Sequence, residues 1–244
     1  MTLADSHCLD LLEQGLRRHP LDRALLLAAQ ADAAQAWPDL PLGVRDAQLV
    51  ALRSNWFGPE FQAVLRCESC GEMLSATLDL RSLPPAPATS EIRVGEHRVR
   101  LPTTRDLAAL ADPAGTLPQD DADAAARRLL QRLAEPAGDR PASAVSSSHA
   151  VDIEAALEAA DPLAHVEVEL VCERCGHRHN RALDIAACLW DDVQAQGERV
   201  LAEVDALASA YGWTEGEILA MPATRRRLYL ERLARRGSSA RRAS

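Results

Sequence analysis

The sequence predicts an α+β chain, mainly helical, in which helices surround a pair of β-hairpins. Three observations predict it. Apolar residues reach 47% while aromatics stay at 3%, so alanine and leucine supply most of the apolar content, a mix that favours helix over strand. Long stretches repeat apolar residues at helical spacing. Two short segments alternate with strand period instead, and each is interrupted by the pattern Cys-x-x-Cys-Gly: Cys67 to Gly71 and Cys172 to Gly176.

Residues 1–58 read as an N-terminal helical segment. Leu9, Leu12 and Leu16 share one helical face, and His19-Pro20 is expected to end that helix. Leu21 to Ala36 reads as a second helix, broken by Trp37-Pro38. A third opens near Gly43-Val44-Arg45-Asp46, with Leu49, Leu52 and Trp56 on one face, and stops at Gly58-Pro59. Residues 59–82 form the first hairpin. Residues 83–135 follow with a proline-rich connection, a hairpin of Glu91–Val94 and His97–Leu101 around Gly95-Glu96, and two helices. Thr103 or Thr104 caps the helix Leu107–Ala111, and Asp120 caps Asp121–Glu135, which Pro136 ends. Small residues make 136–149 a flexible linker, and Ser146–Ser148 within it belongs to no triad. Residues 150–236 hold a short helix (Val151–Ala160), the second hairpin and the C-terminal helices. The longest helix, Ala186–Tyr211, carries one apolar stripe of Val193, Val200, Val204, Leu207 and Tyr211. Gly212 ends it, Thr214 to Glu217 is a capping-box pattern, and Pro222 opens a last helix to about Arg236. The Ser/Arg tail 237–244 is expected to be disordered.

The two cysteine patterns sit in matching surroundings. A shift of 105 residues brings Cys, Glu, Cys, Gly, Leu and Asp of the two copies into register. A Cys-x-x-Cys turn presents two thiolates to one ion, and two such turns complete a tetrahedral four-thiolate shell. The reading is therefore a zinc-ribbon-like pair of β-hairpins joined by one structural zinc per chain, held by Cys67, Cys70, Cys172 and Cys175. A closed shell leaves no position for water, so such a zinc does no catalysis. Two other readings stay open. A thioredoxin-like redox pair would open a helix, usually as a single copy. Independent sites would need His177 and His179 to complete the second, leaving the first pair without a close histidine. The turns are separated by 101 residues. By analogy with a disulfide, clamping a loop of that length is worth about 4–5 kcal/mol.

Composition excludes other classes. The formal charge is −9, and every one of the 27 basic residues is arginine. Few aromatics and an acidic balance argue against a nucleic-acid stacking platform. No 18-residue apolar stretch predicts a membrane helix, and Met1 to Asp10 lacks the pattern of a signal peptide. A cytoplasmic protein is the expectation, where disulfides are rare. Cys188, beside Leu189 and Trp190, is read as a buried apolar residue and Cys8 as a helical free thiol. Arg225, Arg226 and Arg227 are read as a solvated helix face. No glycine-rich phosphate loop or catalytic dyad appears.

An ordered series of short motifs resembles a known family. It runs Leu21-Asp-Arg-Ala24, Gly43-Val-Arg-Asp46, Phe57-Gly58 and the first knuckle. It continues with His97 to Leu107, Ala160-Asp-Pro-Leu-Ala164, Val171 to His177, Leu183-Asp-Ile185 and Leu189-Trp190. It ends with Tyr211-Gly-Trp213, Glu217-Ile-Leu219 and Arg226 to Leu230. The series is similar to the baseplate hub assembly proteins of contractile-tailed phages, especially those of phage-like extracellular contractile injection systems. The resemblance implies a noncatalytic structural or assembly (chaperone-like) component of the baseplate. Its partners would be other baseplate or hub proteins, with no membrane and no small-molecule substrate. Incorporation into the assembled particle stays open. The alternative is a zinc-ribbon nucleic-acid-binding or regulatory protein. Trp213 to Leu233 is the expected docking segment, with Trp213, Ile218, Leu219, Leu228, Tyr229 and Leu233 available and the arginines flanking them.

Overall fold

The computed structural model describes residues 3–111, 122–136 and 147–242. Its elements run α1 (Asp5–Gly15), α2 (Pro20–Ala28), a 3-10 turn (Trp37–Asp39), α3 (Leu42–Phe57), β1 (Glu60–Arg66) and β2 (Met73–Asp79). After a second 3-10 turn (Leu80–Ser82) come β3 (Glu91–Val94), β4 (His97–Arg100), α4 (Thr104–Leu110), α5 (Ala122–Leu133) and β5 (Ala134–Pro136). The chain continues with α6 (Ser147–Ala160), β6 (Glu167–Val171), β7 (Arg178–Ala182), α7 (Ile185–Tyr211), α8 (Glu215–Leu219) and α9 (Ala223–Arg242). It is a mixed α+β protein whose small sheets, β1-β2, β3-β4-β5 and β6-β7, are all antiparallel. It divides into two compact units, residues 17–190 and residues 3–16 with 191–242. The first six residues of α7 belong to the former and the rest to the latter.

In the first unit, His19-Pro20 opens α2 and does not close α1. The Leu21 N–H donates to His19 Nδ1 at 3.0 Å, and Pro20 takes the first helical position, where its missing N–H costs nothing. α2 ends at Ala28, well short of Ala36. Asp32 turns the chain there, accepting the Ala34 N–H on its carboxylate and the Trp37 indole N–H on its carbonyl.

α3 is fixed at both ends by distant partners. Its Gly43 N–H, an orphan donor of the first turn, donates to Asp161 Oδ2 at 2.9 Å. Two residues on, buried Arg45 pairs with Asp46 at 2.7 Å and donates to Thr104 Oγ1 at 3.0 Å. Burial pushes the Asp46 carboxyl upward, with Arg45 opposing. At the other end, buried Arg53 donates to the carbonyls of Gly58 and Glu60 at 2.6 and 2.5 Å and lies over the Phe61 ring. The α3-to-β1 corner is thus tied by one guanidinium.

The β3-β4-β5 sheet and α5 and α6 share a core of Val99, Leu130, Leu133 and Ile153, with Ile92, Val94, Leu129 and Leu157 packed against it. Each fully buried side chain of this size contributes about 1.5–3 kcal/mol. β5 is unexpected from sequence: the residues meant to end a helix at Pro136 form an edge strand on β4, with His97 opposite Pro136, a position that tolerates proline. Thr103 caps α4 in a capping box with Asp106. Burial works against the Asp106 carboxylate, but Arg100, at 2.5 and 2.6 Å, and Thr103 hold it well below the usual range. The expected Asp120 cap and the linker stretch 137–146 lie outside the described residues. α6 begins at Ser147, ahead of the expected Val151.

In the second unit, α1 buries Cys8, Leu9, Leu11 and Leu12. Leu16 is 52% exposed, although its backbone is still helical and its N–H donates to the Leu12 carbonyl at 3.0 Å. The α7 stripe holds, with Val193, Val200 and Leu207 buried. Cys8 donates to the Val193 carbonyl at 3.3 Å, and burial first, then Asp5, pushes its pKa up to about 11. α9 continues to Arg242. The segment 237–242 is therefore helical where a disordered tail is expected, although Gly237 and the two serines after it are weak helix formers.

Arg226 is the main correction to the sequence reading. It is 3% exposed and pairs with Asp5 and, at 3.1 Å, Glu203, while donating to the Met221 carbonyl at 2.9 Å. Ile218 is fully buried, and Tyr211, Trp213 and Tyr229 pack ring against ring at 4.5–5.4 Å. Ile218 and Arg226 of the expected docking segment are therefore internal, whereas Leu228 stays exposed.

Gly43 supplies a test whose sign discriminates. Helix propensity alone makes Gly43→Ala stabilising by up to about 1 kcal/mol. A Cβ there would lie 1.8 Å from Asp161 Oδ1, so the expected result in urea unfolding is a loss of about 1–3 kcal/mol. Adding Asp161→Ala, which vacates the space, should leave the double variant no less stable than Asp161→Ala alone.

Candidate metal centre

Both cysteine turns are built the same way. In the first, the Cys67 N–H donates to the Glu72 carbonyl at 2.7 Å and the Gly71 N–H to the Cys67 carbonyl at 2.9 Å. In the second, Cys172 pairs with His177 at 2.9 Å and Gly176 with Cys172 at 2.8 Å. Gly71 and Gly176 have φ of 75° and 74°, the left-handed conformation that glycine adopts without a Cβ clash. The strands carry the same register: Arg66 faces Met73 in one hairpin, and Val171 faces Arg178 in the other. The repeated Leu-Asp has a local purpose. Asp79 accepts the Arg81 N–H and Asp184 the Ala187 N–H, so each hairpin leads into a helical turn capped by its own aspartate.

The four cysteines predicted as ligands come together. Cys67 Sγ is 3.7 Å from Cys175 Sγ, Cys70 Sγ is 3.6 Å from Cys172 Sγ, and all four lie within 4.8 Å of one another. The short distances run between turns. Sulfurs bonded to one tetrahedral ion at 2.3 Å stand about 3.8 Å apart, and a disulfide would need about 2.0 Å. The cluster is compatible with a metal ion bound by all four. Cys8 and Cys188 are not part of it, and Cys188 is half-buried where full burial is expected.

The electrostatics are compatible with a cation at the cluster. Burial at Cys67 opposes ionisation, but the Cys70 N–H, the His179 imidazole and the Ser69 N–H outweigh it and bring the pKa down to about 5. At Cys70 the Glu72 N–H favours the thiolate, yet burial and the neighbouring sulfurs push the pKa up to about 12. Four sulfurs this close do not all ionise without a positive charge among them. Sulfur donors select soft or borderline ions.

His179, weighed from sequence only as an alternative ligand for the second pair, lies instead against the first. It is 3% exposed, and its Nε2 lies 3.4 Å from Cys67 Sγ. With Cys67 as thiolate, the imidazole donates to sulfur and orients it. The available signal was strand period, which sets His179 opposite the inward Leu170. Two ion pairs bridge the turns, Arg174 with Glu72 at 2.8 Å and Arg181 with Glu68. Both are exposed, so each contributes at most about 1 kcal/mol.

Among the described residues, no helix is long and apolar enough to cross a membrane. No family model, curated protein or solved structure matches the chain.

Metal analysis of the purified protein should find one thiolate-bound divalent ion per chain. The Cys67→Ser/Cys172→Ser double variant should hold none, and Cys8→Ser and Cys188→Ser should hold the normal amount. Normal metal content in the double variant would contradict the site.

Proposed function

We propose that this protein is a noncatalytic structural or assembly component of the baseplate of a phage-like contractile injection system, carrying one structural zinc on Cys67, Cys70, Cys172 and Cys175. The zinc joins the two hairpins into a ribbon-like unit. The observation that carries the structural role is the convergence of four sulfurs from both turns, because four protein ligands fill a tetrahedral shell. The baseplate assignment rests on the ordered motif series. Two of its pieces, Gly43 to Asp46 and Asp161-Pro162, meet in the Gly43–Asp161 hydrogen bond, which gives these separated motifs a common physical reason.

The partner surface lies within the segment suggested by sequence but is narrowed to its exposed side, since Arg226 and Ile218 are internal. What α9 offers outward is Leu228, 65% exposed, with exposed Arg225 and Arg232 three and four residues away on the same face. An apolar contact flanked by guanidinium groups suits an acidic patch on a neighbouring baseplate protein. The competing reading, a nucleic-acid-binding zinc ribbon, rests on the same helix, where Ala223–Arg242 holds eight arginines and one glutamate.

Deleting the gene should lower the yield of contractile particles, and the protein should co-purify with baseplate proteins encoded beside it. Leu228→Asp with Arg225→Glu should keep metal content and unfolding midpoint while weakening that co-purification. Wild-type particle yield from the deletion strain would overturn the assignment. Salt-sensitive binding of the intact protein to DNA or RNA, lost in the same variant, would favour the competing reading.

A further inference from the structure

We propose that Glu68, His177 and His179 form a second binding site for a divalent transition-metal ion, on the rim of the four-sulfur cluster. His177, just before β7, and His179 within it bring their rings together at 4.6 Å. Glu68 comes from the other cysteine turn, and one donor atom from each of the three residues lies within 4.8 Å of the others. Two imidazoles and a carboxylate are a nitrogen–oxygen set suited to zinc, cobalt or nickel.

The sulfur cluster prepares this site. His179 directs Nε2 at Cys67 Sγ at 3.4 Å, so Nδ1 is the ring nitrogen not engaged by the sulfur. Tetrahedral donors bonded at about 2.0–2.1 Å stand about 3.4 Å apart. Glu68 and His177 are exposed and can rotate through the remaining distance. One group competes: the Arg181 guanidinium pairs with Glu68, occupying the carboxylate and adding positive charge. The second ion therefore binds more weakly than the four-sulfur one.

The test is a cobalt(II) titration of the metal-stripped full-length protein under reducing, anaerobic conditions, counted in parallel by zinc calorimetry. The first equivalent should bring the thiolate charge-transfer absorption. A second, weaker equivalent should bind without adding to it. His177→Ala should keep the first and weaken the second by about tenfold or more, at least the cost of losing an outer-shell partner. Arg181→Ala should tighten the second and leave the first unchanged. Failure of the wild type to bind a second equivalent, or a second equivalent indifferent to His177→Ala, would overturn the proposal. Absence of the charge-transfer band would contradict the four-sulfur centre instead, with the second site still judged by His177→Ala.

Discussion

Two cysteine turns 101 residues apart bring four sulfurs within 4.8 Å of one another, an arrangement compatible with one shared metal ion, and the meeting of the two hairpins centres on that cluster. Each turn sits on a two-stranded hairpin, and an isolated two-stranded hairpin is marginal in water. The strand faces give limited help. Val64, Met73 and Val171 are half or more exposed, and the inward residues of β1 and β2 are only partly buried. What holds the hairpins together is local: the hydrogen bonds across each cysteine turn, the two ion pairs between turns and the sulfur cluster. An ion shared by all four sulfurs would turn two weak elements into one cross-linked unit and remove loop entropy from the unfolded chain.

The remaining specificity lies in buried arginines and aspartates. A chain without lysine uses guanidinium groups where directional donors are needed. Arg53 closes the corner between α3 and β1, Arg45 ties α3 to Thr104, Arg100 joins β4 to the start of α4 through Asp106, and Arg226 gathers Asp5 and Glu203 within the second unit. Truncating one partner of the buried Arg45–Asp46 or Arg226–Asp5 pair leaves a buried charge uncompensated, at a cost of about 3–5 kcal/mol. The Gly43–Asp161 contact has the same logic with a backbone donor. These groups fix which element ends meet, a task that apolar burial alone performs loosely.

The parts legible in the sequence are those with a local cause. Strand period, the Cys-x-x-Cys-Gly turns and the repeat offset located both hairpins and all four clustered cysteines. The α7 stripe and the Thr214 capping box were likewise visible, because periodicity and capping are short-range. What the sequence concealed depends on distant partners. Nothing near Arg226 says that Asp5 will meet it, so a run of three arginines reads as a solvated face. Asp32 ends α2 through a side-chain turn that competes with helix. The three residues of β5 are too short to show a period and pair only because β4 presents an edge. His179 reads as an alternative ligand beside the second cysteine pair until β7 turns it toward Cys67 of the first.

The most direct measurement of the central claim is zinc-edge X-ray absorption on the full-length protein loaded with one equivalent of zinc. Four sulfur scatterers at about 2.3 Å, with no nitrogen or oxygen in the first shell, are the predicted result. A shell of two sulfurs with nitrogen or oxygen, the signature of an ion held by one cysteine turn and the neighbouring histidines, would contradict it.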